Sequence, residues 1–193
     1  MEINPQILRG NWAAGWALDL HTVSSVALAG GSFATEYTQL GEALYQLKYR
    51  YDRNKIEPLA EAAVVLIEAR PELRSLEAII PVPPSEENRP FQPVYTVAGA
   101  IARRLDLAVG IGYLMKVRKT HALKDIQDSR NRKGELEGAF MVKDARFDEK
   151  DVLLFDDLFR SGETLREITH VLHTQGKVAN VFVLTLTKTR TKK

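Results

Sequence analysis

The chain has 193 residues, 45% of them hydrophobic and 27% charged, with a formal net charge of +2 and no cysteine. That size supports one domain with a sizeable core, and the near-neutral balance by itself implies no nucleic-acid partner. The missing thiols exclude disulfides, thiolate catalysis and Cys-ligated zinc. No basic-then-apolar leader opens the sequence and no apolar run is long enough to span a bilayer, so the expected location is the cytoplasm.

Near the start, "GNWAAGWALDLHTVSS" gathers Asp19, His21 and Thr22 behind Trp12 and Trp16. Two potential ligands two residues apart fall short of a metal site, and packing is their expected role. From Tyr37 to Arg50, Leu40, Leu44 and Leu47 recur at helical spacing and predict a helix with a core face, from which Lys48 and Arg50 could reach a neighbouring site. "KIEPLAEAAVVLIEARPEL" predicts a second helix, with Pro58 near its start and Pro71 near its end. "LEAIIPVPP" reads as a short buried strand stopped by prolines, and "VYTVAGAIARRLDL" as a third helix. "VGIGYLMKV" and "GELEGAFMV" read as strands, the second leading into the charged turn "KDARFDEK". Between them Lys116, Arg118, Lys119, Lys124, Arg130, Arg132 and Lys133 crowd together with only Asp125 and Asp128 interspersed, and "KTRTKK" forms a second basic patch. Then come the strand "DVLLF", the helix "ETLREITHVLHTQG" with Gly176 as its stop, and the strand "VANVFVLTLT". His170 and His173 fall inside that helix and His121 in the basic stretch; none is assigned a role.

Short apolar strands alternating with helices of ten to fifteen residues predict an α/β domain with a mostly parallel sheet covered on both faces. Ligands of such sheets bind beyond the carboxyl ends of the strands, which directs attention to the residues after "AIIPV" and "VLLF". Asp156 and Asp157 stand where the apolar pattern of "DVLLF" stops. Two adjacent carboxylates stay ionised most easily if they point apart, accept hydroxyl hydrogen bonds or face a cation. Ser161, Gly162 and Thr164 follow, just before a helix expected to begin near Leu165, so backbone amides and two hydroxyls would meet at a positive helix end. Carboxylates for a polyol beside an anion cradle suit a sugar phosphate. A nucleoside-triphosphate loop would need a Lys after its glycines, and none is there. Taken apart, Asp-Asp is also compatible with a solvated loop and Ser-Gly-Glu-Thr with a plain helix cap.

In order, this apolar strand, acid pair and hydroxyl-Gly-x-Thr turn resemble the phosphoribosyl-diphosphate signature of the type I phosphoribosyltransferases. Asp156 and Asp157 match the acid pair, and Arg160, Ser161, Gly162, Glu163 and Thr164 occupy the phosphate turn, with Arg160 where the family usually carries Thr. "LYQLKYR", "IIPVPPS", "RPFQPVYTVAGAIARRL" and "LMKVRKTHALKDIQDSRNRKGELEGAF" look like successive blocks of its ComF-like, competence-associated branch over about residues 40 to 190. The Cys-ligated zinc element with which those relatives commonly begin is absent here.

The resemblance implies a single domain over residues 1–193, with 1–40 as an N-terminal hood or extension and 41–190 as the core. The implied fold is a type I phosphoribosyltransferase-like α/β fold with a mostly parallel sheet flanked by helices and a small hood. It implies a pentosyltransferase that binds phosphoribosyl diphosphate with Mg²⁺ and passes the phosphoribosyl group to an unknown nitrogen acceptor, releasing pyrophosphate. In that scheme Asp156 and Asp157 are catalytic, hold the ribose hydroxyls and meet the metal through water or those hydroxyls. The 160–164 turn binds the 5′-phosphate. Pro83, Pro84 and Ser85 match the pyrophosphate loop, although prolines have no amide to donate. Arg118 and Lys119 belong to a stretch placed like the family's mobile loop over the diphosphate. The alternative is a noncatalytic ComF-like module binding phosphoribosyl diphosphate or single-stranded DNA, with a DNA-uptake or recombination partner. A homodimer is compatible with either.

Overall fold

The computed structural model of the chain describes residues 1–27, 33–85, 91–118 and 136–190. Among these, a six-stranded sheet carries the fold. Its strands are β1 (Gln6–Ile7), β2 (Ala14–Leu20), β5 (Ala78–Pro81), β6 (Ala108–Val109), β9 (Asp151–Phe159) and β10 (Asn180–Lys188), in the order β1-β2-β10-β9-β5-β6. Only β1 runs antiparallel to its neighbour; β2, β10, β9, β5 and β6 are mutually parallel.

Alternation along the strands divides the core into two layers. Leu153 and Phe155 of β9, Leu184 and Leu186 of β10, and Trp16 and Leu18 of β2 face helices α1 (Gln39–Tyr49), α2 (Ile56–Glu68) and α3 (Pro93–Leu105). Val152 and Leu154, Val181 and Val183, and Ala17 face the other way. They pack against α4 (Glu163–Thr174) and a two-stranded ribbon of β7 (Leu114–Lys116) and β8 (Phe140–Val142). The chain is thus an α/β protein whose mostly parallel central sheet is flanked by helices. The leucines read at helical spacing, Leu40, Leu44 and Leu47, are buried as expected.

Three details differ from the sequence reading. "VGIGYLMKV" is two strands: it turns at Gly110–Tyr113, with Gly112 at φ +72°, a backbone that glycine adopts without strain, and β7 then leaves the main sheet. Of the described residues 136–142 in "GELEGAFMV", only those of β8 form a strand. Residues 6–20, placed by the sequence outside the 41–190 core, supply two strands of the central sheet, and only β3 (Thr22–Ala27) and β4 (Phe33–Tyr37) form a separate antiparallel hairpin.

Because the strands are parallel, Leu20, Pro81, Phe159 and Lys188 all end on one edge, the carboxyl edge. The start of α1 is tied to that edge. Thr38 caps the helix by accepting from the Gly41 amide (3.0 Å) and donates its own hydroxyl to the Leu20 carbonyl (2.7 Å). A Cβ at position 41 would lie 1.9 Å from the His21 carbonyl oxygen, so only glycine permits this approach.

Candidate functional site

Strand β9 does not stop at the acid pair. It continues through Asp156 and Asp157 to Phe159, because the nine-residue β10 goes on pairing with it, Thr185 opposite Asp156 and Thr187 opposite Leu158. The carboxylates are therefore strand residues, and the pleat sends them to opposite faces. Asp157 shares the α1 face with Leu153 and Phe155, where its Oδ2 lies 2.8 Å from Lys48 Nζ; the two side chains are only 13% and 18% exposed. Asp156 lies on the α4 face and accepts from the Asp157 amide through Oδ1 (2.8 Å). Its carboxyl is pushed up to about 7, first by burial and then by the neighbouring Asp157 charge; the Asp157 amide and Lys48 oppose this. Strand geometry turns the two carboxylates apart and Lys48 offsets part of their repulsion, the rest of which shows in the raised Asp156 pKa.

Past Phe159 the chain turns through Arg160, Ser161 and Gly162 into α4, which begins two residues earlier than the sequence suggested, at Glu163. Gly162 has φ +80°, and a Cβ there would lie 2.7 Å from the Phe159 ring, so both backbone and space require glycine. Among the described residues no acceptor takes the amides of Ser161, Gly162, Glu163, Thr164 or Leu165; the first helical bond runs from Arg166 N to the Gly162 carbonyl (2.9 Å). These are the orphan donors of a helix start, at the positive end of its dipole. The Ser161 hydroxyl is hydrogen-bonded to the Glu163 carboxylate. Arg166 fastens the turn from below, donating to the Ser161 carbonyl (2.9 Å) and the Arg9 carbonyl (3.1 Å) while its guanidinium lies over Trp12.

The neighbouring strand delivers the prolyl loop to the same edge. Pro81 pairs with Phe155, and the Val82 amide donates to the Phe155 carbonyl (2.9 Å), so Pro83, Pro84 and Ser85 depart beside Asp156. Arg118 follows β7 and donates to the Glu137 carbonyl (3.0 Å). Lys119 and the basic residues after it lie outside the described residues.

Three side chains join the site that sequence reasoning left without a firm role. Lys48 reaches Asp157, as its helix face allowed. His21, at the end of β2, sets Nδ1 3.0 Å from Thr187 Oγ1, and the Thr187 hydroxyl reaches the Asp157 carbonyl (3.4 Å). The His21 ring is held below its usual pKa, first by burial and then by the Lys48 charge. Trp12 and Trp16 are buried packing residues, as expected.

The site is thus a polar constellation at the carboxyl edge of a parallel α/β sheet, with split carboxylates, one lysine and one imidazole beside a helix start with free amides. No protein-family model matches the chain, and no curated protein matches it. Among solved structures it is similar to UMP synthase from Leishmania donovani, with 14% identity and a TM-score of 0.42 over 86% of this chain and 28% of that one. It is also similar to adenine phosphoribosyltransferase from Thermoanaerobacter pseudethanolicus, with 14% identity and a TM-score of 0.45 over 86% of this chain and 95% of that one. The chain spans little more than a quarter of that UMP synthase chain. No helix among the described residues is long and apolar enough to cross a membrane.

Proposed function

We propose that the protein binds phosphoribosyl diphosphate and transfers its phosphoribosyl group to a nitrogen acceptor, as a member of the type I phosphoribosyltransferases and, by its sequence blocks, of their ComF-like branch. One observation carries this reading: Asp156 and Asp157 stand on the sheet's carboxyl edge a short turn ahead of a helix start whose amides have no acceptor among the described residues. A ribose 5-phosphate matches both halves. Its phosphate takes the 161–165 amides and its hydroxyls donate to the carboxylates. Arg160, exposed at the turn, adds a cation for the phosphate. Ser85, the first residue after Pro83 and Pro84 with an amide hydrogen to donate, would bind the diphosphate with Arg118 and Lys119.

In the reaction the acceptor nitrogen bonds to the anomeric carbon as the bond to the diphosphate oxygen breaks. The electron pair leaves with pyrophosphate. Asp156 and Asp157 place carboxylate oxygens beside the cationic ribosyl centre, with Lys48 paired to Asp157.

The described residues hold no cluster of three or more His, Cys, Asp or Glu side chains fit to cage a metal. Asp156 and Asp157 instead fit Mg²⁺ that arrives on the donor's own oxygens, held through water or the ribose hydroxyls, where it would neutralise charge on the departing diphosphate. The single-stranded-DNA reading gains no support here. Tyr113, the aromatic nearest the basic stretch, is fully buried and offers no stacking face.

The test is calorimetric titration of the protein with phosphoribosyl diphosphate and Mg²⁺, repeated on the Asp156→Asn/Asp157→Asn variant. Binding by the wild type that disappears in the variant is expected. A folded wild type that does not bind would overturn the reading.

A further inference from the structure

We infer that His21 is the general base of this site, its Nε2 lone pair taking the proton of the incoming nitrogen nucleophile. The inference rests on the donor-binding reading above. His21 follows β2 on the same carboxyl edge as the acid pair, separated from β9 only by β10. Its place is fixed from several sides. The His21 amide donates to the Lys188 carbonyl (2.8 Å), Gly41 lies tight against its carbonyl, and the Tyr37 ring meets the imidazole edge-on at 5.4 Å between centroids.

A base at Nε2 needs its proton on Nδ1, a tautomer that the hydrogen bonds around Thr187 accommodate. The Thr187 hydroxyl has one hydrogen, and the Asp157 carbonyl is its acceptor at 3.4 Å. With that hydrogen directed to Asp157, the same oxygen accepts from His21 and Nδ1 at 3.0 Å carries the proton, the tautomer this inference requires. In a neutral imidazole Nε2 is then bare, and among the described residues no hydrogen bond occupies it. The charged groups acting on the ring are Lys48 of α1, Asp157 of β9 and Arg160 of the turn, with Tyr37 of β4 as the titratable neighbour in contact. Burial and the two cations outweigh Asp157 and keep the imidazole neutral, the form a base needs.

In the transfer step the nitrogen forms its bond to the anomeric carbon and the carbon–oxygen bond to diphosphate breaks, the pair leaving with pyrophosphate. The nitrogen's proton passes to Nε2 of His21 and from there to water. Atoms and charge balance without a further reactant.

The experiment uses the full chain, as wild type and as His21→Asn, whose amide can still donate to Thr187. Nitrogen-15 long-range NMR reads the tautomer, calorimetry reads donor binding, and pyrophosphate release is followed with ammonia and a panel of nitrogen heterocycles. The expected result is an Nδ1–H tautomer and donor affinity in His21→Asn within about twofold of wild type. The maximal rate should fall about 100-fold and the acidic limb of the pH–rate profile should vanish, with KM for the acceptor little changed. An Nε2–H tautomer, an unaltered rate and pH profile in His21→Asn, loss of donor binding in that variant alone, or wild-type donor binding without pyrophosphate release from any acceptor would each overturn it. Failure of the wild type to bind donor while the tautomer stands would instead strike the donor-binding reading on which it rests.

Discussion

Strand β9 carries aspartates at both ends, and the fold treats them differently. At the amino end Asp151 accepts from Ser75 Oγ (2.6 Å) and Asn180 Nδ2 (2.7 Å), next to an exposed ion pair between Lys150 and Glu77. Both its oxygens are occupied by neighbouring loop and strand residues. At the carboxyl end Asp157 leans on a single lysine, and Asp156 accepts only its neighbour's amide and is pushed up to about 7. The amino edge spends its polar groups on the fold. The carboxyl edge holds carboxylate oxygens, an imidazole nitrogen and five amides ready for something else, and accepts a cost in stability for doing so.

The contrast breaks most sharply on ligand binding. Asp156→Asn/Asp157→Asn should weaken donor binding by about 100-fold or more, since two charge-assisted hydrogen-bond acceptors are lost, whereas Asp151→Asn should leave it within about twofold. Equal losses in the two variants, measured by calorimetry, would remove the distinction between the edges.

Next in size is the Lys48 cation. Lys48→Met strands a largely buried Asp157 charge and should lower stability by about 2–3 kcal/mol in urea unfolding, most of it restored by adding Asp157→Asn. Absence of that rescue would mean that the lysine acts through packing alone. Gly162→Ala should cost about 1–2 kcal/mol, because alanine must take a left-handed backbone and displace the Phe159 ring. Donor affinity should fall with it as the turn re-forms.

The smallest effect sharpens the comparison through pH. The folded state raises the Asp156 pKa, so this group's contribution is fully present near pH 4 and is lost as pH rises through about 7. Asp156→Asn should therefore raise the melting temperature at pH 8 by roughly 2–4 °C and change it little at pH 4. The same linkage predicts that donor binding near pH 7, by placing hydroxyls on the carboxylate, releases protons, visible as a dependence of the calorimetric heat on buffer ionisation enthalpy.

Much of this architecture is legible in the residues. Leu40, Leu44 and Leu47 mark α1, the prolines frame α2, and "AIIPV" and "VLLF" are buried parallel strands that point to the edge where the polar groups gather. What escaped the sequence was decided by partners far along the chain. β9 runs on through Asp156 and Asp157 because β10 is long enough to pair with them, a fact no property of "DD" contains. β2 is buried on both faces from Gly15 to Leu18, so its sequence lacks the alternation that announces a half-exposed strand. For His21 the sequence predicts only packing, because its partner, Thr187, lies 166 residues away.

That last pairing reaches into the biosynthesis of the protein. β2 finds its parallel neighbour in residues 182–188, so the central sheet closes once β10 has emerged from the ribosome. At ordinary elongation rates the interval is about 10–30 s, during which Trp16 and Leu18 lack the strand they will lie beside. The nascent chain is exposed to misassembly for that time, and a pairing between strands this far apart in sequence favours slow closure even afterwards. Ligand binding at the carboxyl edge therefore requires β10 in place, and could serve as a readout of sheet closure.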